Sequence, residues 1–202
     1  MTFAEIQEKD SQYILNTYAR NPLAIDHGKG ATLYGVDGKK YIDFTSGIGV
    51  NSLGYGNETW VQAITAQAQK LAHISNLYYT EPAPRLAEKL CKRTGLAGVF
   101  FANSGAEANE GMLKVARKYS SDRYGEGRGT VITLRNSFHG RTMNTLMATG
   151  QDHFHKHFYP FPTGYRYAPA NDLAALEQVA GGDVCAVMME LVQGEGGVNP
   201  LQ

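Results

Sequence analysis

Apolar residues recur with a helical period in several segments of the chain, separated by polar or glycine-rich stretches. This period places the apolar side chains of a segment on one face and the charged side chains on the other. One segment opens with two prolines and ends near Gly95, the residue types preferred at the first turn and just past the end of a helix. We predict helices over residues 3–19, 58–73, 82–95, 106–124 and 173–179.

Short runs of apolar and β-branched residues have the length of buried strands. They span residues 99–102, 130–134 and 184–192. Because the helix predicted over 106–124 lies between the first two runs, these segments form a strand–helix–strand unit with a parallel sheet and a right-handed crossover. The pattern therefore predicts an α/β fold, in which ligands gather at the carboxyl ends of the strands.

The N-terminal part of the chain contains a second type of β-structure. Residues 31–36 and 40–44 flank Asp37 and Gly38, a pair that suits the positive φ angles of a type I′ turn, so we predict a β-hairpin. Residues 45–57 follow with glycines at four positions, too many for a regular element. We expect this segment to be a loop that passes close to another group.

The composition is that of an ordinary globular protein. Of its 202 residues 43% are hydrophobic, and 19 lysines and arginines balance 19 aspartates and glutamates. A neutral chain gives no reason to expect a nucleic acid or an anionic membrane as a partner. Any anion must therefore be bound by a local site.

The cysteines and the N-terminus bear on the cellular compartment. Cys91 and Cys185 lie far apart in apolar patterns, so we predict buried thiols in a reducing environment. No run approaches the roughly 18 apolar residues of a membrane span, and residues 1–5 lack the basic-then-apolar order of a secretory signal. We therefore expect a cytoplasmic protein.

The junction between the strand predicted at 99–102 and the following helix carries the clearest chemical signal. The first N–H groups of a helix lack internal acceptors and lie at the positive end of its dipole, so the turn Asn103–Ala106 offers donors to a phosphate. Ser104 adds a hydroxyl, and Gly105 has no Cβ to hold a ligand away from the backbone. The alternative is a capped helix start without a ligand.

Two further polar loops follow predicted strands and should reach the same edge of the sheet. One contains Phe138 and Arg141, the other Glu190 and Glu195. Arg141 can bind a carboxylate through two parallel hydrogen bonds, while Phe138 either covers one face of a heteroaromatic ring or belongs to the core. A ligand with a phosphate, a flat ring and a carboxylated partner matches these loops, and pyridoxal phosphate enzymes use such parts.

A histidine-rich segment raises the question of a metal site. His153, His155 and His157 alternate with other residues, so a strand would place them on one face. We favour an interpretation without metal, because no carboxylate or cysteine partner stands at close spacing.

Taken together, the motifs resemble those of the class III pyridoxal-phosphate-dependent aminotransferases. The similar segments follow one another through almost the whole chain: Tyr34–Phe44, Ser46–Asn51, Ser75–Pro82, Asn103–Glu110, Ser137–Thr142 and Glu190–Gly197. The resemblance implies the fold type I architecture, with a mostly parallel sheet flanked by helices. It implies that residues 1–57 form an N-terminal arm and a small-domain segment with the hairpin, and that 58–202 form the incomplete first half of the large cofactor-binding domain.

The resemblance also implies pyridoxal 5′-phosphate as cofactor and assigns roles to single residues. It implies that the cofactor phosphate is held by Ser104, Gly105 and Ala106. Phe138 is similar to a residue that stacks on the pyridine ring, and Glu190 to one that supports the cofactor region.

Substrate contacts are implied in the same way. Arg141 is similar to a residue that binds the α-carboxylate of the amino acid, and Tyr18 to a tyrosine of the same pocket. Glu195 stands where ornithine-type members carry a glutamate that pairs with an arginine of the C-terminal domain and gates the second substrate. The resemblance implies that the family's Schiff-base lysine and its pyridine-binding aspartate lie beyond residue 202. No lysine of this chain, Lys114 and Lys156 included, stands in a matching context. We therefore name no catalytic residue and expect this chain alone to be inactive.

The activity that the resemblance implies is transfer of the terminal amino group of N2-acetyl-L-ornithine to 2-oxoglutarate, in arginine biosynthesis, by a homodimer. Three related donors stay open, namely ornithine, succinylornithine and 4-aminobutyrate. A non-catalytic phosphate-binding or interaction fragment of such an enzyme is the alternative from a different class.

Overall fold

The computed structural model describes residues 1–202 as two compact units, Met1–Thr80 and Glu81–Gln202. The boundary between these units differs from the one at residue 57 that the resemblance implies. That assignment concerns the domains of a longer protein, and it stays a prediction.

The N-terminal unit begins with helix α1 (Phe3–Tyr13), which starts at a capping box formed by Thr2 and Glu5. The helix ends six residues before the predicted end at residue 19, because Ile14 has an extended backbone. No residue of α1 is buried, so packing does not hold the following residues in a helix. Thr17 instead donates its N–H to the carbonyl of Leu15 at 2.8 Å in a local turn.

The predicted hairpin is confirmed, but its turn type is wrong. Strands β1 (Ile25–Lys29), β2 (Thr32–Gly35) and β3 (Lys40–Ile42) form an antiparallel sheet in that order. A type I′ turn needs positive φ at both central residues, yet only Gly38 has it, at 78°, and Asp37 does not. The Asp37 carboxylate accepts a hydrogen bond from the Lys39 N–H at 3.1 Å, which stabilises the wider four-residue connection.

A carboxylate organises the glycine-rich segment after the hairpin. Asp43 accepts hydrogen bonds from the Thr45 hydroxyl at 2.7 Å and the Tyr55 hydroxyl at 2.8 Å, and these bonds lower the pKa of Asp43 to about 2. Gly30 and Tyr55 exchange backbone hydrogen bonds of 2.9 Å, so the segment returns to the sheet. The unit also contains the short helical turn α2 (Ser46–Gly49) and helix α3 (Glu58–Lys70).

The second unit is built around a parallel sheet flanked by helices, which confirms the predicted fold class. The central strand β4 (Thr130–Leu134) pairs in parallel with β5 (Tyr165–Ala168) on one side and β6 (Val184–Met188) on the other. The remaining elements are α4 (Pro82–Thr94), α5 (Gly105–Tyr124), α6 (Met143–Ala148), a 3-10 turn (Asp152–His155), α7 (Leu173–Val179), β7 (Val192–Gln193) and β8 (Asn199–Pro200).

The core lies on both faces of β4. On one face Val131 packs with Leu113 of α5 and Met188 of β6. On the other face Ile132 and Leu134 pack with Ala168, and α7 covers them. Successive residues of a strand point to opposite faces, so one strand supplies both clusters.

The strand predicted over residues 99–102 is not formed. The backbone there is irregular, and Phe100 and Phe101 are 67% and 44% exposed. A strand needs a neighbour to satisfy its N–H and C=O groups, and no strand of the structure lies beside this segment. The parallel unit in the structure is therefore β4–α6–β5, and α5 follows an irregular segment instead of a strand.

The histidine segment is a 3-10 turn through His155 and not a strand. His155 is buried, and its Nε2 lies 2.9 Å from the carbonyl of Leu146 and 3.0 Å from that of Thr149. No three histidine, cysteine, aspartate or glutamate residues come together as metal ligands. Cys91 and Cys185 are free and half-buried, whereas the sequence predicts buried thiols. No helix has the length and apolar character to cross a membrane.

Candidate active site

The N-terminus of α5 is the predicted phosphate site. Ser104 caps the helix with an extended backbone, and its Oγ accepts a hydrogen bond from the Glu107 N–H at 3.2 Å. The Glu107 carboxylate in turn accepts the N–H of Asn103 at 2.6 Å. These two bonds leave the N–H groups of Gly105 and Ala106 for a ligand, as expected for the first turn of a helix.

The space beside this turn is open. A Cβ placed on Gly105 would have no atom within 4 Å, and Ser104 is exposed. The glycine is therefore not required by packing within the chain, and an approaching group meets the backbone directly. Two free N–H groups, a hydroxyl and the positive end of a long helix form a donor set that suits a phosphate.

The loop after β4 packs directly on this turn. Gly140 has a φ of 128°, and a Cβ there would lie 2.7 Å from the Cβ of Ala106. The His139 N–H donates to Thr149 Oγ1 at 2.9 Å, and the Phe138 N–H donates to the Glu190 carboxylate at 3.1 Å. Side chains from other elements thus fix the backbone of the loop.

Arg141 and Phe138 lie together, as the sequence predicts. The guanidinium carbon of Arg141 is 6.0 Å from the centre of the Phe138 ring and 5.8 Å from that of Phe154. Phe138 is half-buried and meets Phe154 edge to face at 5.8 Å. Aromatic rings near a guanidinium attract it through their quadrupole and restrict its orientation.

The two predicted glutamates approach the same loop from the segment after β6. Burial raises the pKa of Glu190, and its hydrogen bond with the Phe138 N–H opposes the shift. Glu195 accepts a hydrogen bond from Nε2 of Gln151, which also donates to the carbonyl of Ser137 at 3.2 Å. Glu190 therefore supports the backbone of Phe138, and Gln151 links Glu195 to the start of the loop.

His139 is a buried group that the sequence reasoning did not single out. It is 3% exposed, its Nε2 has no hydrogen-bond partner, and burial lowers its pKa to about 4. Asn109 and Glu110, which hydrogen-bond the same loop, were also missed. The signal that marks them is their place in the motif Asn103–Glu110, directly after the phosphate turn.

The second unit thus brings together the predicted residues that lie within it: Ser104, Gly105, Ala106, Phe138, Arg141, Glu190 and Glu195. Tyr18 belongs to the other unit, where its side chain is mostly exposed. Its place in the substrate pocket stays a prediction.

The curated relatives that this chain matches are aminotransferases, the class of protein that the motifs resemble. The acetylornithine aminotransferase of Haemophilus ducreyi is 57% identical over 202 residues, which are 100% of this chain and 51% of that protein. That of Wolinella succinogenes is 53% identical over 193 residues, 95% of this chain and 49% of that protein. The chain therefore spans about half the length of these relatives.

Solved structures and a family model complete the comparison. The ornithine aminotransferase of Toxoplasma gondii superposes with a TM-score of 0.94 at 29% identity, covering 100% of this chain and 48% of that one. The N-acetylornithine aminotransferase of Stenotrophomonas maltophilia gives a TM-score of 0.75 at 37% identity, over 95% of this chain and 46% of that one. The model of the class III aminotransferases matches residues 13–202. The chain therefore belongs to the class III aminotransferase family.

Proposed function

We propose that this chain is part of an enzyme that transfers the terminal amino group of N2-acetyl-L-ornithine to 2-oxoglutarate. One observation carries the proposal: the loop with Phe138 and Arg141 packs against the first turn of α5 through Gly140 and Ala106. This contact supports a single site that combines the proposed anion site with the proposed carboxylate-binding side chain.

Pyridoxal 5′-phosphate fits the donors of this site. The N–H groups of Gly105 and Ala106 and the hydroxyl of Ser104 would hold its phosphate, since α5 offers them no other acceptor. Phe138 would cover one face of its ring, supported by Glu190 through the backbone bond. When bound, the cofactor supplies the electron sink that amino transfer requires.

Arg141 would bind the carboxylates of both substrates. The amino donor and the oxo acid each carry a carboxylate at an end of the carbon chain. A guanidinium binds such a group through two parallel hydrogen bonds. Glu195 would lie near the entrance of the site, where Gln151 links it to the loop that carries Phe138 and Arg141. The relatives named acetylornithine aminotransferase support N2-acetylornithine as the donor. We also propose that the whole enzyme is a cytoplasmic homodimer.

The test uses the product of the complete gene, including any residues that follow Gln202, which we call the full-length protein. Purified with pyridoxal 5′-phosphate, it is assayed for glutamate formation from 2-oxoglutarate with four donors: N2-acetylornithine, ornithine, succinylornithine and 4-aminobutyrate. We expect the highest kcat/KM with N2-acetylornithine. A higher value with another donor would reject the proposed substrate, and no glutamate with any donor would reject the activity.

A further inference from the structure

Asn109 and Glu110 of α5 reach across to the loop that carries Arg141. The amide Nδ2 of Asn109 donates to the carbonyl of His139 at 2.7 Å. One oxygen of the Glu110 carboxylate accepts the Thr142 hydroxyl, and the other accepts Nδ2 of Asn144 at 2.9 Å. The bonded groups precede and follow Arg141, so α5 holds the chain on both sides of the arginine.

The loop needs such contacts because its own backbone is irregular. Between Leu134 and Met143 the chain forms neither helix nor strand. The position of Arg141 relative to α5 is therefore set by bonds to neighbouring elements and by the close approach of Gly140 to Ala106. The bonds of Asn109 and Glu110 join residues 30–34 positions apart in the chain.

The partners of Glu110 are themselves oriented. Oδ1 of Asn144 accepts the hydroxyl of Tyr165 at 2.7 Å, which turns the NH₂ group of Asn144 toward Glu110. The Thr142 hydroxyl also lies 2.7 Å from Oγ1 of Thr145. A carboxylate suits this place because each of its oxygens meets a donor, whereas an amide has only one acceptor oxygen.

We infer that Glu110, assisted by Asn109, is a positioning residue that fixes Arg141 relative to the N-terminus of α5. It thereby sets the separation between a phosphate bound at the helix and a carboxylate bound at the arginine. Glu110 acts through the loop and needs no contact with either ligand. This inference rests on the proposed function of the site, and it adds residues to which that function assigns no role.

Exchanging the two bonded side chains tests the inference. Glu110→Gln leaves one acceptor oxygen where there were two, so position 110 can no longer accept from both the Thr142 hydroxyl and Asn144 Nδ2. Asn144→Asp places two carboxylates opposite each other. In the double variant the amide introduced at position 110 donates to the carboxylate introduced at position 144 and still accepts from Thr142. The introduced carboxylate still accepts the hydroxyl of Tyr165. The charge and the number of bonds are then those of the original pair.

The measurements use the full-length protein. They are kcat and KM for N2-acetylornithine and 2-oxoglutarate, the Kd of 2-oxoglutarate by calorimetry without amino donor, and Tm. We expect each single variant to raise both KM values and the Kd roughly tenfold, the effect of about one unsatisfied polar group. We expect the double variant to return within about threefold of the original values. The control is Asp122→Asn, which removes a charge at the exposed end of α5 and should change none of them.

The outcomes separate positioning from simple stabilisation. A lower Tm in the single variants with unchanged KM and Kd, or a double variant that does not recover, overturns the inference. Should a single variant fail to fold, the double variant and Asn109→Ala decide, the latter with an expected increase of about threefold in KM. An original protein that neither binds 2-oxoglutarate nor forms glutamate rejects the proposed function and the inference with it, whereas an active protein with insensitive variants rejects the inference alone.

Discussion

At the scale of single residues, the surroundings of Arg141 suit the carboxylate-binding role that we propose for it. Its guanidinium lies near the rings of Phe138 and Phe154, and the neighbouring backbone is bonded to α5. Each aromatic contact is worth about 0.5–1 kcal/mol at an exposed site, and together they restrict a long flexible side chain. A guanidinium group whose orientation is already restricted loses less conformational entropy when it binds a carboxylate.

Replacing the arginine tests this role. In the full-length protein, Arg141→Ala should raise KM for both substrates about 10- to 100-fold, because hydrogen bonds to charged groups contribute about 1.5–3 kcal/mol. The amount of bound cofactor should stay the same. The control is Arg135→Ala, which removes an arginine that pairs with Asp152 outside the site. Unchanged KM values in Arg141→Ala would exclude the residue from substrate binding.

At the scale of elements, the first turn of α5 is capped, and we propose that the same turn binds a phosphate. The hydroxyl of Ser104 caps the helix, and the two following N–H groups remain available. Asn57 caps α3 in the same way, through a 3.0 Å bond to the Trp60 N–H. The two caps therefore allow the structural contribution to be separated from binding.

We expect Ser104→Ala and Asn57→Ala each to destabilise the protein by about 1 kcal/mol, the usual cost of losing a cap. Only Ser104→Ala should weaken retention of pyridoxal 5′-phosphate in the full-length protein, about 10-fold or more, since it also loses a donor to a charged phosphate. Thermal unfolding measures the first effect and cofactor content after dialysis the second. Equal retention in both variants would argue against a phosphate at this turn.

At the scale of the whole molecule, the core of the second unit contains a titratable group that burial keeps neutral. His139 is 3% exposed, and its pKa falls from 6.5 to about 4. Between these pH values the unfolded chain binds a proton that the folded chain does not, so acid favours unfolding. Glu190 has the opposite effect, because folding raises its pKa. Its contribution to the free energy of unfolding is greatest at low pH and declines as pH rises.

The contribution of neutral His139 to the free energy of unfolding should be fully present above pH 6.5. It should decline as pH falls toward about 4, by up to about 3 kcal/mol. We expect His139→Gln to lose this part of the pH dependence, measured as the free energy of unfolding in urea from pH 7 to 4.5. The control is His153→Gln at an exposed position, which should follow the original curve. Parallel curves for His139→Gln and the original protein would show that folding does not lower the pKa of His139.

The sequence by itself determined the features that depend on local chemistry. The caps and the period of α4 and α5 predicted both helices to within a residue or two, and the pair Asp37 and Gly38 between two strand-like runs predicted the hairpin. The motifs determined the family, because each places particular side chains at fixed spacing within a few residues. Such information is contained in neighbouring positions and needs no knowledge of the rest of the fold.

Only the tertiary structure decided the features that depend on distant partners. Residues 99–102 have the composition of a strand, but no strand lies beside them, and the end of α1 lacks packing that would extend it. The bonds of Glu110 to Thr142 and Asn144 join segments more than 30 residues apart, and the lowered pKa of His139 comes from burial by several elements. Hydrogen-bond partners and burial belong to the folded arrangement, so no local pattern encodes them.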